Sequence, residues 1–596
     1  MEAGTIQTTG STTIADLLPR AAEQYANVPA MRQKVGDTWT DVSFAQVGEI
    51  VAEIGRGLIG LGLEAGDRVS LLSDTRPEWS YCSFAISGAG GVVVPIYPSN
   101  SPHECEWVAG NSESIGIICE NAEQIAKIVE VREQLPKLEW IVAIDAAGDI
   151  ADAIALDDLR ATGRTRDLGE LQARSESITP DDPYTFIYTS GTTGPPKGCV
   201  LTHGNYRSVL HMVEARGLLS GGDEVVYLYL PLAHAFALLI QLTAADTGTT
   251  IAFWTGDTKR IIPELAEVKP TYLPSVPRIF EKLYTLVAGK LDPAMLAKAT
   301  EVGVQVRDLQ LTGADVPAEL QAAFDQFDAK LFVNVRAAFG GNLREAVTGA
   351  APIAQDILRF FYAAGVPVME GYGMTETATV ATFSTPEHHR FGSVGRALPG
   401  VEVKIAAEDS EILIKGANIF GGYWKNDDAS FGSIVDGWLH TGDVGKVDAD
   451  GYVFITGRKK DIIITAGGKN LTPANLENDL KQTRWVSQAV MHGDRRPFPV
   501  MLITLDEEEI VPWATQQGIE DTSTAALAVH PEVRALIQAE LDRSNEKYAQ
   551  VEQVKKFFIL DHDLSQETGE LTPTLKVKRN IVNEKYADRF EELYGG

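Results

Sequence analysis

The run Thr189-Ser190-Gly191-Thr192-Thr193-Gly194-Pro195-Pro196-Lys197-Gly198 joins four hydroxyl side chains, three glycines and one lysine, directly after the apolar stretch Tyr184 to Tyr188. Glycines let backbone N–H groups approach an anion closely, hydroxyls donate hydrogen bonds, and the lysine adds a compact positive charge. Such a loop suits a polyphosphate. It is not the common P-loop: Lys197 stands at the expected distance from Gly191, but Pro196 precedes it and Gly198 replaces the Ser or Thr that would hold magnesium. The metal ligand must therefore come from another segment. Strand, phosphate loop, helix is the expected context, with Leu201-Thr202-His203-Gly204-Asn205 reading as the turn and N-cap of that helix.

Three further groups carry chemistry. In Glu370-Gly371-Tyr372-Gly373-Met374-Thr375-Glu376, two glycines around an aromatic make a tight turn that can present a ring to a base, and Glu376 offers a hard oxygen ligand for Mg²⁺. A glycine-rich corner with a surface glutamate reads equally well from this string alone. In Trp438-Leu439-His440-Thr441-Gly442-Asp443, an aspartate at a strand end can accept both hydroxyls of a ribose, and Arg458 follows where it could pair with the same ribose or a phosphate. A turn aspartate is the plain alternative. Near the C-terminus, Leu571 to Arg579 places Lys576, Lys578 and Arg579 within four residues, a pattern that also suits a solvated helix start. Pro231 to Ile240 is nearly all apolar apart from His234, and reads as a buried helix or as an apolar site wall.

Positioning these groups takes several domains, since 596 residues exceed one hydrophobic core. Short β-branched runs alternate with helical patterns: Arg68 to Leu72, Gly91 to Pro95, Ile115 to Cys119, Trp140 to Ile144, Phe186 to Tyr188 and Glu224 to Leu230, with helices predicted at Ser43 to Leu61 and Ser101 to Asn111. This is α/β texture with parallel layers. After about Val394 closely spaced strands (Glu402 to Ile405, Glu411 to Lys415, Gly451 to Thr456, Asp461 to Thr465) indicate a small β-rich subdomain. A shorter α/β stretch follows, with strands at Gln488 to Met491, Val500 to Thr504 and Lys556 to Leu560. The charged string Gly457-Arg458-Lys459-Lys460-Asp461 marks the boundary, giving domains 1–459 and 460–596 with a hinge near Lys460.

A net charge of −30, from 82 acidic and 52 basic residues, argues against nucleic-acid binding, so an anionic ligand needs a local positive site. The four cysteines (Cys82, Cys105, Cys119, Cys199) lack metal or disulfide spacing and suit reduced thiols in a cytoplasmic protein. The polar segment Met1 to Thr13 is unlike a signal peptide. The apolar windows Phe84 to Tyr97 and Phe236 to Trp254 are too interrupted for membrane spans. Peripheral contact with the inner membrane face and homodimerisation are left open.

Taken together and in this order, TSGTTGPPKG, GYGMTE, HTGD, GRKKD and the terminal lysine resemble the adenylate-forming (AMP-binding) superfamily. Val276 to Leu283 and Gly349-Ala350-Ala351-Pro352 are most similar to its bacterial long-chain fatty-acid–CoA ligase branch. The resemblance implies a large N-terminal domain of two α/β sheet subdomains plus a small β-rich one, followed by a small mobile α/β C-terminal domain. It implies ATP, Mg²⁺ and CoA as cofactor and cosubstrates, a fatty acid as substrate, acyl-AMP formation and then thioester formation. Residue by residue, Thr189, Ser190, Gly191, Thr192, Thr193, Gly194 and Lys197 would hold phosphates. Gly349, Ala350, Ala351 and Tyr372, within the turn Glu370, Gly371, Tyr372, Gly373, Met374, would line the adenine slot. Thr375 would contact the α-phosphate, Glu376 with Thr189 the metal, and Asp443 and Arg458 the ribose. Lys576 would be the catalytic lysine, His234, Phe236 and Leu238 would border the acyl site, Gly467 and Gly468 the CoA thiol arm, and Lys460 the hinge. Many relatives carry glycine where this chain has Leu575. Carrier-protein loading in place of CoA, and medium-chain or aryl acids in place of fatty acids, remain alternatives.

Overall fold

Capping and apolar patterning set the helices that frame two sheets. The helix Phe44–Gly60 starts at Ser43, whose hydroxyl accepts from the Gln46 N–H while the Gln46 side chain accepts from the Ser43 N–H, and Pro102–Asn111 starts on the same reciprocal pair between Ser101 and Glu104. The computed structural model describes residues 7–146, 150, 152–189, 195–288, 291–466, 469–572 and 575–595.

One sheet runs, edge to edge, through Ile154–Ala155, Trp140–Ala143, Gly116–Cys119, Arg68–Leu72, Val92–Ile96, Pro183–Thr189 and Lys197–Thr202. All neighbours are parallel except the last pair. A second sheet runs through Arg396–Ala397, Thr382–Phe383, Val368–Tyr372, Glu345–Thr348, Tyr272–Ser275, Val225–Leu228, Thr250–Phe253, Pro29–Val35 and Thr38–Ser43, parallel at its centre and antiparallel at both edges. The helices Pro77–Gly88 and Ala235–Thr247 lie in the common core, buried along almost their whole circumference, with Glu78 and Phe236 as the partly exposed members. A helix with no solvent stripe must be apolar all round. This accounts for the two apolar windows: each is a buried helix, a turn and a buried strand. Among the described residues no helix is long and apolar enough to cross a membrane.

The two sheets are tied at Thr75. Its hydroxyl donates to the Leu230 carbonyl (2.7 Å) and accepts from the Leu232 N–H (2.9 Å), and its own carbonyl accepts from Trp254 Nε1 (3.2 Å). Ser80 donates to Gln241 at 2.5 Å from one buried helix to the other.

The β-rich part is an antiparallel five-stranded sheet of Glu402–Ile405, Glu411–Lys415, Ile434–Val435, Trp438–Val447 and Val453–Arg458. One turn of 3-10 helix, Lys459–Asp461, leads on to the ribbon Ile463–Ile464 with Asn470–Leu471 and a sheet of Val486–His492, Val500–Leu505 and Lys556–Ile559. The apolar cluster of the first two sheets ends at Val453, and a separate one begins at Ile463.

At the start of the strand Glu345–Thr348, Glu345 is 6% exposed and its Oε1 has no hydrogen-bond partner. Burial pushes its carboxyl from 4.5 to about 8; Arg344 opposes this, and Glu387 and Glu224 reinforce it. The folded chain therefore holds a proton that the unfolded chain releases, so stability falls as pH rises from the ordinary carboxyl range through about 8. Thermal melts between pH 5 and 9 should show this decline, and Glu345→Gln should flatten it. An equal slope in the variant would refute the assignment.

Candidate active site

Thr189 ends the strand Pro183–Thr189 and faces Lys197, the first residue of the antiparallel strand Lys197–Thr202. Ser190, Gly191, Thr192, Thr193 and Gly194 lie outside the described residues. The hairpin corrects the expected strand–loop–helix order. The β-forming run Cys199-Val200-Leu201 makes a second strand, and the helix His203–Glu214 begins only after it. That helix is capped by Thr202 and Asn205, so its N-terminus is satisfied locally and does not serve the loop. Gly198 is required by its cross-strand partner Tyr188: a Cβ there would lie 3.0 Å from the tyrosine ring.

A segment that the sequence reading passed over, Gly421-Gly422-Tyr423-Trp424, zips onto this strand. Gly421 N–H donates to the Val200 carbonyl, Val200 N–H to Gly422, and Trp424 N–H to Gly198, at 2.8–3.1 Å. The Tyr423 ring lies 5.2 Å from Lys197 Nζ, and its hydroxyl donates to Glu376 Oε1 at 2.6 Å. Cys199 Sγ is 3.9 Å from Thr189 Oγ1, and its thiol is pushed well above its usual range by burial and then by Glu376. The base of the phosphate loop and Glu376 thus share one cluster. The only sequence signal for Tyr423 was an aromatic pair after two glycines, the texture of the Tyr372 turn.

Glu376 and Thr375 sit in the single turn Thr375–Thr377, both buried, just past the strand Val368–Tyr372. Met374 opens the turn, its N–H donating to Thr377 Oγ1 at 2.9 Å. The neighbouring parallel strand Glu345–Thr348 delivers Gly349, Ala350 and Ala351 at the same sheet end, where α/β folds bind ligands. Close approaches favour the glycines: a Cβ on Gly373 would meet the Thr379 carbonyl at 2.2 Å, which excludes a side chain there, while one on Gly371 would crowd the Phe383 ring at 3.0 Å and one on Gly349 the Gly371 carbonyl at 3.2 Å. Ala350 and Ala351 are exposed, Ala350 with a left-handed φ of 66°. Burial pushes Glu370 up to about 8, so it carries a proton at neutral pH.

Asp443 and Arg458 are cross-strand partners, with Arg458 Nε 3.2 Å from Asp443 Oδ1, and the Tyr372 hydroxyl donates to Asp443 Oδ2 at 2.8 Å. Burial raises the Asp443 carboxyl, while Arg458, Tyr372 and Lys576 oppose the shift. Lys576 is solvent-exposed and lies near other charged groups. Desolvation and then Arg458 lower its ammonium pKa, against the pull of Asp443 and Glu376. The same lysine acts on His234, which burial lowers to about 4. His234 Nδ1 accepts from the Phe236 N–H at 3.2 Å, so the proton of the neutral ring sits on Nε2. Lys576 therefore lies within electrostatic reach of Arg458, Asp443, Glu376 and His234.

Leu575 has a left-handed φ of 58° and is 62% exposed, a backbone conformation that glycine adopts more readily than leucine. The loop closes through Thr572 N–H to the Lys576 carbonyl (2.8 Å) and Lys576 N–H to Thr572 Oγ1 (3.1 Å). Beneath it the fully buried Glu570 accepts from Lys585 Nζ and the Tyr586 hydroxyl, each at 2.6 Å, and its carbonyl accepts from the Lys578 N–H at 2.7 Å. Although burial raises the Glu570 carboxyl, bonds from Lys585, Thr568, Tyr586 and Ser565 hold it at about 2. Arg579 is committed elsewhere, to both oxygens of Glu477 (2.7 and 2.8 Å). Leu238 is core, Phe236 is partly buried and Lys460 is exposed in its turn; Gly467 and Gly468 lie outside the described residues. A buried carboxylate with a hydroxyl nearby suits Mg²⁺, which takes one or two protein oxygens and completes its shell with phosphate and water.

The description "AMP-binding enzyme" matches residues 18–424, and "AMP-binding enzyme C-terminal domain" matches 460–596. The chain is 39% identical to the long-chain-fatty-acid–CoA ligase FadD15 of Mycobacterium tuberculosis over 569 residues, 94% of this chain and 93% of that one. It is 34% identical to the long-chain-fatty-acid–CoA ligase ACSBG2 of Xenopus laevis, covering 98% of this chain and 84% of that one. The anthranilate CoA ligase AuaEII, solved with anthranoyl-AMP, has the same fold at a TM-score of 0.73 and 22% identity, over 97% and 98% of the two chains. With an expected sheet architecture, converging motifs and a family match over most of its length, this chain belongs to the AMP-binding enzymes.

Proposed function

We propose that the chain activates a long-chain fatty acid with ATP, releasing pyrophosphate, and transfers the acyl group from acyl-AMP to CoA, releasing AMP. The observation that carries this is that Lys576 lies within electrostatic reach of Glu376, Asp443, Arg458 and His234, with Asp443 itself bonded to Arg458 and Tyr372. The printed names of the FadD15 and ACSBG2 relatives support the acid and the thiol.

A carboxylate that attacks the α-phosphate of ATP meets an anion, so catalysis depends on cations placed where charge builds up. Lys576 bridges the substrate carboxylate and the α-phosphate, and Thr375 donates to the latter. Lys197 and the loop from Thr189 hold the β- and γ-phosphates. Gly349, Ala350, Ala351 and Tyr372 form the adenine slot, Glu370 can donate its proton beside it, and Asp443 with Arg458 takes the ribose. Glu376 and Thr189 would hold Mg²⁺, which would supply positive charge at the leaving pyrophosphate. His234, with Nε2–H free to donate, borders the carboxylate, and the start of the helix Ala235–Thr247 opens onto the acyl chain, of which each buried CH₂ adds ~0.8 kcal/mol. CoA approaches by the loop of Gly467 and Gly468.

The domains are 1–459 and 460–596, and rotation about Lys460 withdraws Lys576 for the second step. In the present orientation Arg278 pairs with Asp506, and Lys282 Nζ with Glu508 at 2.6 Å, across the two parts. Exposed pairs are worth only ~0.2–1 kcal/mol each, enough to shift a balanced equilibrium between orientations a few-fold.

Lys576→Ala should lower adenylation, read as ATP–pyrophosphate exchange, by at least ~10²-fold while sparing thioester formation from supplied acyl-AMP. Equal loss of both half-reactions would remove the lysine assignment. Because Lys576 loses its proton more readily than a free lysine, kcat/KM for adenylation should fall on the alkaline side before pH 10.5. A limb at or above the ordinary lysine range would contradict this. Lys282→Glu should depress adenylation relative to the thioester step, and adding Glu508→Lys should restore the ratio; an unchanged ratio in the single variant argues that the pair does not bias the domains.

A further inference from the structure

Lys197 and Glu376, of opposite charge, face one cluster without forming an ion pair with each other, and each instead contacts Tyr423. We propose, building on the adenylate-forming reading above, that Tyr423 is a positioning residue. It holds the Glu376 carboxylate for the cation and the Lys197 ammonium for the phosphates at a set separation.

The hydroxyl occupies one oxygen of Glu376 at 2.6 Å, which fixes the rotation of the carboxylate and leaves Oε2 for a cation. The ring, 5.2 Å from Lys197 Nζ, attracts the ammonium without neutralising it. A direct Lys197–Glu376 pair would cancel the charge that each brings to a magnesium–triphosphate ligand. Tyr423 can act as a spacer only if it is itself held in place, and contacts on several sides hold it. Its N–H donates to Ser430 Oγ at 2.8 Å, and its ring packs edge-on against Phe420 at 4.9 Å. The backbone to either side is bonded to both elements that it would align: Phe420 N–H donates to the Glu376 carbonyl at 2.9 Å, and Trp424 N–H to Gly198 at 2.8 Å. One short segment thus spans the metal turn and the phosphate hairpin.

Two variants separate the functions of the side chain. Tyr423→Phe keeps the ring over Lys197 and deletes the hydroxyl; Tyr423→Leu deletes both. The readouts are the Mg²⁺ dependence of ATP–pyrophosphate exchange, and calorimetric binding of ATP with Mn²⁺ or with EDTA to the full-length protein. Tyr423→Phe should raise the Mg²⁺ requirement and weaken Mn²⁺–ATP binding about tenfold, as for loss of a hydrogen bond to a charged group, while leaving ATP binding in EDTA unchanged. Tyr423→Leu should in addition weaken ATP binding in EDTA by about threefold, through loss of the ring under Lys197. Wild-type metal dependence and wild-type Mn²⁺–ATP affinity in Tyr423→Phe would overturn the proposal. So would equal loss of metal-free and metal-bound ATP affinity in that variant, which marks a merely structural residue. Absence of ATP binding and exchange in the wild-type protein would instead defeat the adenylate-forming reading itself.

Discussion

Two anions can be pressed together only where positive charge is held between them, and in a chain of net charge −30 that charge has to be assembled locally. Lys197 comes from a hairpin, Arg458 from the last strand of the five-stranded sheet, and Lys576 from a loop more than a hundred residues further on. Each is set against an acid or a ring that steadies it without consuming it: Tyr423 for Lys197, Asp443 for Arg458, Asp443 and Glu376 for Lys576. This arrangement has a cost at Lys576, whose ammonium pKa is lowered by desolvation and by the neighbouring Arg458.

The architecture serves that placement. Parallel strands end together, so Gly349–Ala351 and the Glu370–Glu376 turn emerge side by side, and the all-round burial of Pro77–Gly88 and Ala235–Thr247 makes the platform beneath them stiff. The last cation is supplied by residues with a core of their own. On the proposed mechanism this separation matters, since a part held across the cleft by exposed ion pairs can turn without disturbing either core.

The loop before Lys576 shows how a leucine is accommodated in a conformation that favours glycine. A non-glycine residue in the left-handed region costs roughly 1–2 kcal/mol. Leu575 takes that conformation because both ends of the loop are pinned, by the backbone bonds between Thr572 and Lys576 and by Glu570 below them. The buried Glu570 is satisfied by a lysine, a tyrosine, a threonine hydroxyl and one backbone N–H, so its charge contributes to order rather than opposing it.

Much was legible from residue order alone. The segments Ser43 to Leu61 and Ser101 to Asn111 became helices between strands, β-branched runs such as Arg68–Leu72 and Glu411–Lys415 became strands over the expected residues, and the motif order implied the family. These signals are local, and local backbone preference is what a one-dimensional pattern records. Three features were not legible. The strand Lys197–Thr202 exists because it finds partners in Tyr188 and Gly422; Tyr423 acquires its place from contacts with Lys197 and Glu376; and Asp443 is a partner of Arg458 and Tyr372 rather than a turn residue because two strands happen to align. Sequence therefore determined which chemical groups the chain possesses and which segments are helix or strand. Tertiary structure alone decided which groups of opposite charge meet and which are kept apart, because Coulomb energy depends on distances through space that separation along the chain does not encode.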